Sequence, residues 1–129
     1  MTSTNIYTNK TTISSSTFTI KYGDIFLVDF GKSEYSEQSG VRPAIILQND
    51  IGNKYSPTTL VVPLTTKSKR NLPTHIEITP ENSGLREVST ALFEQIRVID
   101  KRRIIKKIGV IDTSLISHIK KALTIAFAM

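Results

Sequence analysis

From Lys21 onward, short apolar runs alternate with polar breaks marked by glycine, proline or asparagine. Residues 24–30 form a β-rich run that stops at Gly31 and a polar stretch to Gly40, which predicts a strand followed by a long loop. Pro43 fixes its own φ and pushes Arg42 toward an extended conformation. Residues 44–48 then read as a buried strand halted by Asn49, Asp50 and Gly52, which leaves Arg42 where loop becomes strand. Residues 58–64 predict a third strand, in which Pro63 has no N–H to donate and points to an edge or a bulge. After a basic loop over 65–72, residues 74–78 alternate as a half-exposed strand does. Two more β-like runs, 89–93 and 95–100, flank Glu94, for six predicted strands.

Residues 101–103 suit a single helical turn, and over 104–111 strand and helix signals overlap, a short strand being favoured. Asp112, Thr113 and Ser114 then offer capping oxygens. Leu115, Ile116, Ile119, Ala122, Leu123 and Ala126 recur at helical spacing, the clearest element in the chain. Strands of uneven length finished by one amphipathic helix predict a small antiparallel barrel or curled sheet, with the helix covering an opening.

Residues 1–20 differ in kind. Ser, Thr and Asn dominate, with only isolated apolar side chains such as Ile6, Tyr7, Ile13 and Phe18, too few to offset the entropy of ordering. A flexible tail followed by one domain over 21–129 is the expected organisation, and 129 residues suit a single core.

Composition narrows the chemistry. The formal charge of +6 makes phosphates or an acidic protein plausible partners, although a basic face is often simply solvated. No cysteine is present, which removes disulfides, thiolate catalysis and cysteine-rich zinc sites. No apolar run approaches the ~20 residues of a membrane helix. A soluble, cytoplasmic protein is expected.

The stretch from Ser36 to Pro43 places a carboxylate, an amide and a guanidinium on one loop and its exit. A guanidinium stays charged at working pH and presents a rigid fork of donors, which suits a phosphodiester gathering negative charge. Cleavage of RNA asks little else of a protein, because the substrate's own 2′-hydroxyl can attack the adjacent phosphate. Neither a metal nor a nucleophilic side chain is needed where a base and charge stabilisation are supplied. Glu37 is the candidate base, Arg42 the stabiliser, and Thr65 a further donor at the end of the third strand. Taken alone, such a threonine is ordinarily a loop residue. His75 is the obvious imidazole for acid catalysis, yet a lone histidine in a strand, like His118 in the terminal helix, is ordinarily structural.

Together, Gly23-Asp24, Ser36-Glu37-Gln38, Gly40-Val41-Arg42-Pro43, Gln48-Asn49-Asp50 and Leu92-Phe93-Glu94-Gln95-Ile96-Arg97 resemble the MazF/PemK family of toxins from type II toxin–antitoxin systems. The likeness runs from about Lys21 to the end, with Pro73-Thr74-His75 before one strand and Asp100-Lys101 after another. It implies a mainly β fold with helices, a small SH3-like antiparallel barrel carrying a C-terminal α-helix, and a homodimer. It also implies a sequence-specific, metal-independent endoribonuclease that cleaves single-stranded RNA by 2′-hydroxyl attack, needs no cofactor, and is neutralised by an acidic cognate antitoxin. On the matching positions Arg42 and Thr65 are catalytic and Glu37 a third member, while Ser36, Gln38, Asn49 and Gln95 contact RNA. Tyr55 offers a stacking face. Ordinary readings stand beside these: Gln38 and Asn49 as turn formers, Tyr55 as packing. The family usually has glycine before the Ser-Glu-Gln block, where this chain has Tyr35, and substrate contacts there are expected to differ. The basic cluster of Lys101, Arg102, Arg103, Lys106 and Lys107 could meet RNA or the antitoxin. A toxin of this fold that binds RNA or a protein without cutting is the alternative.

Overall fold

A computed structural model describes residues 19–35, 37–67 and 71–129. Seven strands, β1 (Asp24–Asp29), β2 (Val41–Ile46), β3 (Thr58–Thr65), β4 (His75–Ile78), β5 (Ser89–Leu92), β6 (Arg97–Asp100) and β7 (Ile104–Val110), form one antiparallel sheet. Helix α1 (Asp50–Tyr55) joins β2 to β3, and α2 (Ile116–Ala126) ends the chain. The sheet order is β4-β5-β3-β2-β1-β7, with β6 also paired to β3.

β3 organises the fold because it changes partner. One of its sides pairs with β2 from Val61 to Pro63, the other with β6 from Thr58 to Val61 and then with β5 at Leu64 and Thr65. Pro63 thus lies in a central strand, not at the edge expected for it. It is tolerated because it falls in the gap between the β6 and β5 ladders, where a missing N–H leaves no bond unmade.

Alternation along β2 and β3 sends side chains to two cores. Ile45, Val62 and Leu64 join Ile25, Ile76, Ile78, Ala91 and Phe93 on one face, closed by Leu115, Ile119 and Ala122 at and within α2. Phe26, Val28, Ala44, Ile46, Val61 and Ile99 form the second, which also takes in Ile20. Ile20 is 7% exposed, so the packed region begins at or before it. Residues 1–18 of the expected tail lie outside the described residues.

The two ends of the sheet are joined by a turn. Ser83 and Asn82, which follow β4, accept from the N–H groups of Val110 and Asp112 at 3.1 and 2.8 Å. At this closure a Cβ on Gly109 would stand 2.5 Å from the Ser83 carbonyl oxygen, which explains glycine in an otherwise β-branched run.

One element departs from expectation. Residues 49–52 were expected to stop a strand, with no helix after them; Asn49 instead caps α1, accepting from Gly52 N–H at 2.8 Å. Over residues 104–111 the favoured strand is present: β7 is continuous over its seven residues and pairs with β1 despite two bulges. The expected helical turn at Lys101–Arg103 is a 3-10 turn capped by Asp100, and Asp112 caps a second turn, Thr113–Leu115, that leads into α2.

Candidate active site

Strand register sets Arg42 and Thr65 across from one another at one end of the sheet, past the last pair of the β2–β3 ladder. Ala44 pairs with Pro63; two residues farther along each strand stand Arg42 and Thr65, on the same face by strand alternation. Opposite Arg42 on its other side is Val28 of the second core, and beyond Thr65 come Thr90 and then Glu77 in register.

Arg42 is half-buried, and its Nε donates to the Ser39 carbonyl at 2.8 Å. This bond orients the guanidinium and leaves its two terminal amino groups without a hydrogen-bond partner among the described residues. Gly40, between Ser39 and the strand, has φ +77, a left-handed conformation that side chains disfavour. The turn is locked where the loop closes on itself, Gly40 N–H donating to Gly31 O at 2.7 Å and Phe30 N–H to Gly40 O at 2.9 Å. Thr65 is 3% exposed, and its hydroxyl oxygen accepts from Lys67 N–H at 3.2 Å, so its own proton stays available for donation.

Glu37 is exposed on the loop, where its Oε1 accepts from the Ser33 hydroxyl at 2.8 Å. The next residue, Gln38, is 8% exposed; its N–H donates to Gln95 Oε1 at 2.9 Å. Two residues expected to contact RNA therefore hold one another, and 57 positions of sequence are bridged at this end of the sheet. The side-chain oxygen of Gln38 is buried and without a partner among the described residues. A buried acceptor is costly unless something pairs with it. Tyr35, the departure from the family pattern, is 83% exposed. Ser36 lies outside the described residues.

Asn49 and Tyr55 are elsewhere. Asn49 caps α1, and Tyr55, 75% exposed, ends it beneath the Lys54 ammonium, 5.4 Å from the ring centre. At ~3.3 Å per residue, the length of β3 puts them roughly 20 Å from Thr65. Within one chain, the candidate site gathers Arg42, Thr65, Gln38 and Gln95, with Glu37 on the adjoining loop.

Sequence reading missed Arg97. It pairs with Val61, on the face that continues to Thr65, and its guanidinium lies 5.2 Å from the centre of the Phe30 ring. Phe30 lies two residues past Val28, the partner of Arg42, so a second cation approaches the same end. Its membership of the Leu92–Arg97 block was the available signal.

The basic cluster is largely committed to the fold. Arg102 Nε and Nη2 each reach the Asp100 carboxylate at 3.0 Å, Lys107 pairs with Asp24 at 3.2 Å, and Arg103 donates to Asp29 O at 3.2 Å. Lys101 donates to the Asn53 carbonyl. Lys106, exposed, lines an open cleft of about 420 Å³ with Lys107, Pro43, Thr66 and Ser89. Among the described residues no group of three or more histidine, aspartate or glutamate side chains is placed to hold a metal, and no helix is long and apolar enough to cross a membrane.

Comparison with known proteins places the chain and its fold. The chain is 42% identical to "Endoribonuclease EndoA" of Bacillus subtilis (strain 168) over 111 residues, 85% of this chain and 96% of that protein. Its fold is similar to MazF (Form-I) from Deinococcus radiodurans, with a TM-score of 0.74 at 19% identity over 87% of this chain and 99% of that one. It is also similar to a mycobacterial endoribonuclease solved in complex with its cognate antitoxin, with a TM-score of 0.72 at 22% identity over 85% and 96% of the two chains. The sequence model of the family described as PemK-like, MazF-like toxin of type II toxin–antitoxin system matches residues 21–127, and the chain belongs to that family.

Proposed function

We propose that this protein is a metal-independent endoribonuclease toxin that cuts single-stranded RNA at a short recognised sequence, and that a cognate antitoxin neutralises it. The observation that carries the reading is the register that sets Arg42 and Thr65 on one face past the β2–β3 ladder, with the terminal amino groups of the guanidinium without a partner among the described residues. The activity named for the Bacillus subtilis relative and the antitoxin named in the mycobacterial complex support it.

The chemistry follows from what each group can do. A carboxylate accepts the 2′-hydroxyl proton, and Glu37 is the carboxylate on the loop over the site. The 2′-oxygen forms its bond to phosphorus as the bond to the 5′-oxygen breaks. The products are a 2′,3′-cyclic phosphate and a 5′-oxygen that takes its proton from water. Negative charge building on the non-bridging oxygens is met by the Arg42 fork and the Thr65 hydroxyl, fixed beforehand by Ser39 and by the Lys67 N–H. Because arginine is a poor proton donor, Arg42 stabilises charge and does not act as an acid.

Gln38 and Gln95 serve in recognition. Gln38 Oε1 is a buried acceptor with no partner among the described residues; a shift of the loop would offer it to the N–H groups that bases of an unstacked strand carry on their edges. Ser36 is expected to contact RNA from the same loop. Asn49 and Tyr55 contact RNA in this reading only if a second subunit of the proposed homodimer brings their end of the sheet to the groove. The absence of a membrane-crossing helix among the described residues fits work in the cytoplasm, where RNA is found.

The test is an RNA oligonucleotide carrying one cleaved sequence, in excess chelator. A 2′-deoxy substitution at the scissile nucleotide should abolish cutting, and the unmodified RNA should yield a 2′,3′-cyclic phosphate. Cutting of the deoxy substrate, or dependence on added metal, would contradict the proposal. Binding with the RNA recovered intact would instead favour a non-catalytic toxin of the same fold.

A further inference from the structure

The pair His75–Glu94 lies outside the groups that handle the phosphodiester, yet it is tied to both loops that frame them. His75 opens β4, opposite Leu92 in β5, so its ring reaches the 3-10 turn Phe93–Gln95 that follows β5. Its side chain is 6% exposed, and Nε2 lies 3.0 Å from Glu94 Oε2. Nδ1 accepts from the N–H of Leu72 at 3.3 Å. With Nδ1 accepting, Nε2 carries the ring proton and donates to Glu94. The other carboxylate oxygen, Oε1, accepts from the Thr74 hydroxyl at 2.8 Å. Burial pushes the Glu94 carboxyl up, and the bonds from His75, its own backbone N–H and Thr74 outweigh that and hold it below the usual value. One carboxylate thus fastens the end of the β3–β4 loop to the turn that carries Gln95.

From Gln95 the connection runs onward. Gln95 Oε1 accepts from Gln38 N–H, the neighbouring Ser39 carbonyl accepts from Arg42 Nε, and Glu37 is the residue on the other side of Gln38. We infer that Glu94 and His75 are positioning residues: by fixing the Phe93–Gln95 turn they set the loop that aims Arg42 and Glu37, and through Leu72 they anchor the segment that enters β4. The inference rests on the ribonuclease reading for its consequence in catalysis, but the mechanical link is independent of it.

The experiment measures backbone amide exchange in the RNA-free protein and cleavage kinetics in parallel, for wild type, Glu94→Ala, Glu94→Gln and Gln95→Ala. Glu94→Ala should speed exchange at both Gln38 and Leu72 by about tenfold or more, with core amides at Ile45 and Val62 unchanged. It should also lower kcat/KM by up to about 100-fold and admit cuts at near-matching sequences, since a small misplacement is costly in rate. Gln95→Ala should release Gln38 and leave Leu72 protected. Glu94→Gln keeps one carbonyl acceptor and should recover part of both effects; it also serves if the alanine variant does not fold. A folded Glu94→Ala protein with wild-type exchange at Gln38, or with wild-type kcat/KM and site choice, would overturn the inference. Failure of wild type to cut RNA would refute the ribonuclease reading and leave the exchange result to decide the link.

Discussion

Arg42 makes its one hydrogen bond within the described residues through Nε, to a backbone carbonyl, and presents the rest of its fork outward. Lysine has neither the Nε bond nor the fork. Arg42→Lys is therefore expected to fare little better than Arg42→Ala, each losing roughly 10²–10³ in kcat, the cost of removing one preorganised donor from such a site. Thr65→Val keeps shape at a position only 3% exposed. Stability should change modestly while cleavage falls by a comparable factor; a folded valine variant with full activity would remove Thr65 from the catalytic set. Among the carboxylates outside the site, Asp100 is held below its ordinary value of 3.8, first by hydrogen bonding to Arg102. A lowered folded value means that its contribution is complete above pH 3.8 and fades as the pH falls through the lower folded value. Asp100→Ala should cost about 1 kcal/mol at neutral pH through the lost cap and flatten the acid limb of a stability-versus-pH curve, read by thermal unfolding.

Elements were legible to the extent that apolar spacing built them. β1, β3, β4 and α2 follow from alternation or helical repeat, and Gly31 and Gly40 bracket the loop that carries Glu37 as punctuation suggested. Helix α1 was not legible, because its one buried residue is Asn53, a polar group. It is held by hydrogen bonds: Asn53 donates to Gln48 O and accepts from Thr59 Oγ1, each at 2.8 Å, and Lys101 reaches its carbonyl. Asn53→Ala leaves buried groups unpaired and should cost about 1–3 kcal/mol or more, measured by denaturant unfolding with cleavage retained. The site shows the same division. Arg42 could be placed at a strand entrance from Pro43 alone, whereas the Gln38–Gln95 and His75–Glu94 contacts depend on strand register across long separations, which no local pattern carries.

At the scale of the whole molecule, the sheet is closed by a turn against an edge strand, and Gly109 is the contact point. Gly109→Ala drives a Cβ into the Ser83 carbonyl and is expected to cost about 1–3 kcal/mol through overpacking, seen as a lowered unfolding midpoint. The formal charge of +6 acts over longer range. Even with most of the 101–107 cations tied to the fold, association with RNA should weaken steadily as salt rises. In the proposed function this basic sheet cuts RNA at one sequence from an Arg42-centred site without metal. That cleavage is tested most directly by incubating purified protein and its Arg42→Ala variant with a long single-stranded RNA in excess chelator and sequencing every new end. Ends at one recurring short sequence, absent with the variant, are the predicted result; intact RNA with folded wild-type protein, or the same ends with Arg42→Ala, would contradict it.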